Sequence, residues 1–301
     1  MQYICNSHSE RARWLAERVN GIGASEVPAL IGLSRWQTPL SLYAQKIGAA
    51  PIEDDRPEYV EWGNRLESVI IDVFAERTGR RVEESGLLYA HDEWPWARAT
   101  FDAFVNEPGY ERYPMEAKTS SAFRAEEWAD GAPPVYIAQL HWQMFVAKAA
   151  RKASIADLIG GQRMVWDDVP RDESLIERLF YAAKDFWRCV QTRTPPPADG
   201  TEITRDALRL LYPKDTGEVR LLPASLLEVA DVLEFTKAEA KKTDEVRLMA
   251  ENTIKAAMGD AMFGVLPDGR RFSWTTQQRK GYAVAASESR VFRSLKSKEG
   301  D

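Results

Sequence analysis

Arg98-Ala-Thr-Phe-Asp102-Ala-Phe-Val-Asn106, then Glu107-Pro-Gly-Tyr-Glu-Arg112, then Tyr113-Pro-Met-Glu116-Ala-Lys118-Thr-Ser120: this stretch decides how the chain is read. Two apolar runs flank a connection that holds Pro108 and Gly109, the composition of a hairpin loop. The runs predict strands over 98–105 and 113–120. In a strand, residues i and i+2 share a face, so Glu116 and Lys118 point the same way. An antiparallel partner brings Asp102 beside Glu116. Two carboxylates and a lysine so grouped are the parts needed to hold magnesium against a phosphodiester. The tripeptide alone is not specific, because it recurs as Glu239-Ala240-Lys241 in a highly charged stretch that reads as a solvated helix face. Glu116 and Lys118 could equally be an exposed pair on a sheet surface.

The whole chain narrows the choices. Its 301 residues suffice for a large core and one or two domains, and 44% hydrophobic with 29% charged content is ordinary for a soluble protein. Cys5 and Cys189 form no CxxC pair, and His8, His91 and His141 are scattered. That argues against a zinc site or disulfide framework and suits a reducing cytosol. The N-terminal residues lack a signal-peptide pattern, and no apolar run approaches the roughly 20 residues of a membrane span. A net charge of −6 argues against generic coating of nucleic acid, but not against a metal-dependent nuclease. Such a site requires carboxylates, and Arg11, Arg13, Arg18 and Arg35 form a local basic enrichment, or simply a charged helix surface.

Working outward, residues 9–19 predict a helix capped by Ser9. Asn20-Gly-Ile-Gly-Ala-Ser25-Glu26 follows. It is no dinucleotide fingerprint, since Glu26 stands where a third glycine belongs. Ser25 is placed to cap a helix over 26–31, and another helix is expected over 39–48. Glu58–Thr78 carries Leu66, Ile70, Val73 and Phe74 at helical spacing with Gly79 as a stop. Strands are expected over 81–89, 155–159 and 164–169, and helices from Pro134 and over 172–191. Thr194-Pro-Pro-Pro-Ala-Asp-Gly200 marks a boundary. The expected domains are 1–194, a linker with a short helix over 195–223, and an accessory region over 224–301. That region holds a long helix over 224–262, a strand over 271–276 and a loose polar tail over about the last ten residues.

Asp102 and Glu116 supply hard oxygens for magnesium, with the backbone carbonyl of Ala117 as a neutral third ligand. Lys118 can orient the attacking water and offset developing charge, or act as a general base if deprotonated. Glu67, within Trp62-Gly-Asn-Arg-Leu-Glu67, lies near the apolar side of its helix, where it can bind metal or pair with an arginine. Gln139 and Gln143 stand one turn apart on the helix from Pro134. They can orient a water or phosphate, or be ordinary surface. Arg18 and Ser25 bracket the glycine turn, which can be a phosphate niche or a cap with a surface arginine.

These pieces occur in one order: Trp14, Arg18, Gly-Ile-Gly-Ala-Ser25-Glu26-Val, Trp62-Gly-x-x-x-Glu67, Asp102, Glu116-x-Lys118, Tyr136-x-x-Gln139. Over roughly residues 10–190 the chain resembles the YqaJ-like viral recombinases, relatives of phage lambda exonuclease within the PD-(D/E)xK nucleases. The resemblance implies an α/β (α+β) fold with a restriction-endonuclease-like core, a central mixed sheet flanked by helices. The C-terminal helix and β-hairpin extend beyond that core. It implies Asp102, Glu116 and Glu67 as metal ligands, Lys118 as the catalytic lysine, Gln139 as a supporting polar residue, and Arg18 and Ser25 as holders of a DNA 5′-phosphate. The implied activity is ATP-independent 5′→3′ digestion of linear double-stranded DNA with Mg2+ (Mn2+ substituting), leaving 3′ single strands for recombination. It further implies a phage or prophage gene product in the host cytoplasm, often a ring trimer, partnered by a single-strand annealing protein. Where the family often has Pro-Asp-Gly, this chain has Phe101-Asp102-Ala103, which bears on the local turn rather than the ligand. The alternatives are an endonuclease of the same superfamily and a non-catalytic DNA-end-binding scaffold. The chain lacks the P-loop of helicase fusions and the four cysteines of cluster-bearing relatives.

Overall fold

The computed structural model describes residues 1–51, 57–148, 150–278, 280–281 and 290–294. It divides into two compact units, Met1–Pro213 and Lys214–Asp301. The first unit opens with strand β1 (Gln2–Asn6), helix α1 (Arg11–Glu17), the short α2 (Val27–Leu30), α3 (Pro39–Lys46) and the long α4 (Glu58–Thr78). Strands β2 (Arg81–Ala90), β3 (Arg98–Asn106) and β4 (Tyr113–Ser120) follow, then α5 (Pro134–Ala147), β5 (Lys152–Ile159), β6 (Arg163–Pro170), α6 (Glu173–Thr192) and α7 (Glu202–Leu211).

The six strands form one sheet in sequence order. Every neighbouring pair is antiparallel except β4 and β5, which run parallel. A parallel pair cannot be joined by a tight hairpin, and α5 provides the crossover. Pro134 at its first turn fixes φ where a backbone N–H would have no helical partner. Leu140, Trp142, Met144 and Val146 of α5 are fully buried, each contributing about 1.5–3 kcal/mol from lost apolar exposure. One core cluster joins α5 to Leu40, Phe101 and Phe186, and a second joins it to Ile70, Phe74, Met115 and Ile155. The expected mixed sheet flanked by helices is therefore the observed architecture. The bounds of α4 and β4 are those the sequence predicts, and Gly79 takes the left-handed conformation (φ +68°) that ends α4.

Several expectations change. Strand β1 had no clear sequence signal. Ser9 does not cap α1. Instead Asn6 accepts from the backbone N–H groups of His8 and Ser9, at 2.8 and 2.9 Å. Ser25 does not cap a helix either. It lies inside a 3-10 turn, Ala24–Glu26, that Glu26 stabilises by accepting from the Gly23 N–H at 2.8 Å. The carboxylate reaches back one turn, and Ser25 is left exposed. Residues 195–213, which read as part of a linker, pack with the first unit. Ala207 and Thr204 of α7 are buried, and Thr204 shares a hydroxyl hydrogen bond with Thr38 at 2.9 Å.

In the second unit a 3-10 turn (Ala224–Leu226) leads into α8 (Leu227–Met258), which stops at Gly259 rather than continuing to 262. Short strands β7 (Phe263–Val265) and β8 (Arg271–Ser273) pair as a hairpin, so the strand expected over 271–276 is half that length. The expected loose tail falls largely outside the described residues. Among the described residues no helix is long and apolar enough to cross a membrane.

Candidate active site

A cleft of about 600 Å³ opens in the first unit, and the sequence-predicted residues Arg18, Ser25, Glu67, Asp102, Glu116, Ala117, Lys118 and Gln139 all line it. Its floor is made where β3 and β4 part. Their ladder is regular to Ala103 opposite Met115. One step further, Asp102 Oδ2 accepts from the Ala117 N–H at 3.0 Å. The carboxylate thus occupies a donor that a continuing ladder would have used, and this fixes Asp102 beside Glu116.

Glu116 is buried, and both its oxygens are held. Oε1 accepts from Lys118 Nζ and from Gln139 Nε2 (2.5 Å), and Oε2 accepts from Gln143 Nε2 at 2.6 Å. Gln143 also donates to the Thr100 carbonyl at 3.2 Å. The i, i+4 spacing that reads as ordinary helix surface is therefore a pair of amides aimed at one carboxylate. Glu67 approaches from α4. Gly63, one turn before it, faces Thr119, and a Cβ there would lie 3.4 Å from the Thr119 hydroxyl.

His8 was not among the predicted residues. It lines the cleft, with Nε2 3.7 Å from Glu67 Oε1. A bulge in β2 makes room for it. Gly86 there has φ +60°, and a Cβ would come within 2.4 Å of the His8 ring. The signal for this placement was a lone glycine in a strand pattern.

The electrostatics follow from burial and crowding. Burial raises the Asp102 carboxyl well above its ordinary value, and repulsion from Glu116 and Glu67 raises it further. Burial also raises Glu67, with His8 opposing and Glu116 adding. Lys118 moves the other way. Burial would lower its amine, but Glu116 and Asp102 together outweigh that and hold it above the ordinary lysine value. That upward pull argues against the free-amine base among the sequence readings. Lys118 alone does not relieve that repulsion, so the crowded acids resist ionising together. A divalent cation favours their ionised form and suits hard oxygen donors, so the residues fit the magnesium the sequence implies. Among the described residues no three His, Cys, Asp or Glu side chains are gathered tightly enough to cage an ion by themselves. The Ala117 carbonyl and water would complete the shell.

In the same cleft, Arg18 Nη2 donates to Glu26 at 3.0 Å, and its guanidinium stands 5.1 Å from the centre of the Trp14 ring. Trp14 is anchored by its indole N–H to the Thr100 hydroxyl at 2.9 Å. Thr100 lies two residues before Asp102, so strand β3 links the arginine and the acidic group.

Comparison with known proteins identifies the family and the fold. The model of the YqaJ-like viral recombinase domain matches residues 13–150. The Bacillus subtilis (strain 168) protein YqaJ is 31% identical over 265 residues, which cover 87% of this chain and 82% of that relative. The chain belongs to the YqaJ-like viral recombinase family. Among solved structures, LHK-Exo in complex with dAMP superposes with a TM-score of 0.50 at 19% identity, over 66% of this chain and 99% of that one. A second LHK-Exo structure, an alkaline exonuclease from Laribacter hongkongensis, gives 0.48 at 17% identity over the same shares. The first of these likenesses identifies the fold.

Proposed function

We propose that this member of the family is a magnesium-dependent, ATP-independent 5′→3′ exonuclease on linear double-stranded DNA, leaving 3′ single strands for phage-type recombination. The observation that carries the reading is the convergence of Asp102, Glu116, Lys118, Glu67 and Gln139 in one cleft that Arg18 and Ser25 also line. A divalent ion bound by Asp102, Glu116, Glu67 and the Ala117 carbonyl would supply an acidified water and neutralise phosphate charge. The ammonium of Lys118 orients that water and offsets charge on the phosphorane-like transition state. Gln139 and Gln143 hold Glu116 in one rotamer, which keeps the donor set preorganised. Arg18 and Ser25 take the terminal 5′-phosphate, and this grip sets where along the strand the reacting bond falls.

The same reading assigns residues 1–194 to catalysis, with 195–213 packed onto that unit, 214–223 to the connection and 224–301 to an accessory region. That region serves ring-trimer assembly or recruitment of a single-strand annealing protein in the bacterial cytoplasm. The test is a duplex labelled at one 5′ end and, separately, at one 3′ end. With magnesium, 5′ label is released first, 3′-ended single strands accumulate, and closed circles persist. Rapid cutting of closed circles would instead favour an endonuclease.

A further inference from the structure

Arg18 is held by a buried three-membered group. Glu26, 2% exposed, divides its carboxylate: Oε1 accepts from Arg18 Nη2, and Oε2 accepts from the Gly23 N–H at 2.8 Å and from Lys46 Nζ at 2.7 Å. Lys46 comes from the last turn of α3, and its side chain is 1% exposed. Its ammonium also donates to the Arg18 carbonyl. Of the two cations, only Arg18 lines the cleft.

Burying a lysine costs several kcal/mol of lost hydration, so its presence calls for a physical role. Glu26 could hold Arg18 and the Gly23 turn without it. An isolated Arg18–Glu26 pair, however, is neutral and attracts an anion weakly. With Lys46 the same group carries one net positive charge, and that charge is presented to the cleft through Arg18. Burial pulls the Lys46 amine downward while Glu26 opposes it, and Lys46 with Arg18 keeps Glu26 ionised against its own burial.

We infer that Lys46 is a charge-balancing positioning residue for the anion niche. It neutralises Glu26, so that Glu26 can fix Arg18 and the Ser25 turn without cancelling the charge Arg18 offers to the terminal phosphate of a DNA strand. The inference rests on the proposed reading of Arg18 as the 5′-phosphate holder.

The experiment compares kcat/KM on linear duplex with 5′-phosphate ends and with 5′-hydroxyl ends, for wild type, Arg18→Ala, Lys46→Met and the double variant Glu26→Gln/Lys46→Met. Wild type prefers phosphorylated ends, and Arg18→Ala loses the preference. Lys46→Met, at a residue that does not itself line the cleft, lowers the preference roughly tenfold, the size expected of one charge about 12 Å away at an effective dielectric near 20. The double variant restores it to within about threefold of wild type, because the removed negative and positive charges balance. A wild-type preference in Lys46→Met overturns the inference. So does a double variant that stays at the Lys46→Met level, since that is what a merely structural lysine would give. Should Lys46→Met fail to fold, the double variant, which leaves Arg18 as the group's one charge, carries the test. A preference as low as that of Arg18→Ala would then overturn it. A wild type without any preference would show that the phosphate reading of Arg18 is itself wrong, and the inference would fall with it.

Discussion

The tripeptide Glu-Ala-Lys occurs twice, and the two copies share no chemistry. At 116–118 it lies in β4, with Glu116 buried and held by Lys118, Gln139 and Gln143, and with Asp102 bonded to the backbone between them. At 239–241 it lies on α8, where all three residues are exposed and Glu239 pairs with Lys242 at 2.7 Å. An exposed pair of that kind contributes about 0.3–0.5 kcal/mol and is screened by salt. Secondary structure makes part of the difference, because the strand points Glu116 and Lys118 to one side while the helix spreads Glu239 and Lys241 apart. Withdrawal from water makes the rest. Crowded among other carboxylates, the first copy holds an ammonium and a set of acids whose charge asks for a cation.

The comparison breaks most visibly at Lys118. Lys118→Ala removes the group proposed to orient the attacking water, and kcat should fall by roughly 10²–10³, with duplex binding retained. A kcat within a few-fold of wild type would make the first copy as inert as the second. Gln143→Ala is a finer probe, because Gln143 does not itself line the cleft and reaches it through Glu116 and the Thr100 carbonyl. It should lower kcat by about tenfold with little change in KM, and cost about 1–3 kcal/mol by leaving a buried carboxylate short of a donor. Loss of stability with kcat intact would assign Gln143 to packing alone.

A smaller effect concerns the group of Arg18, Glu26 and Lys46. The Glu26 carboxyl is held below its ordinary value of 4.5: burial would raise it, but Lys46 and Arg18 outweigh burial. A depressed folded-state value stabilises the protein above the unfolded value, and that contribution is lost as pH falls through the folded one. The stability difference between wild type and Glu26→Gln, followed by urea denaturation, should therefore be level at neutral pH and shrink only below about pH 4.5. A difference that grows on acidification would mean the buried group is not ionised as described.

Much of this was legible in the chain. Glu58–Thr78 and Tyr113–Ser120 declared themselves through apolar spacing and through Gly79 and the Pro108-Gly109 loop, signals that act within a few residues. Asp102, Glu116, Lys118, Glu67 and Gln139 were legible as a set because the family order adds context that spacing lacks. What stayed hidden depends on residues distant in sequence. Glu26 and Lys46 are 20 positions apart and meet only once α3 packs behind the glycine turn. His8 enters the cleft only because a bulge at Gly86 in another strand admits it. Ser25 misled as a cap because a glutamate one position on reaches back to do that work. The short β1 (Gln2–Asn6), in which Cys5 alone is fully buried, carries too little apolar alternation to be seen.

The most direct measurement sets Asp102→Ala beside the double variant Glu239→Ala/Lys241→Ala in one assay of linear 5′-phosphorylated duplex with magnesium. Asp102→Ala should lose hydrolysis by roughly 10³-fold or more while still binding duplex ends in a mobility-shift assay. The α8 variant should cut at the wild-type rate. Full hydrolysis by Asp102→Ala, or its loss only in the α8 variant, would contradict the assignment of the cleft as the hydrolytic centre.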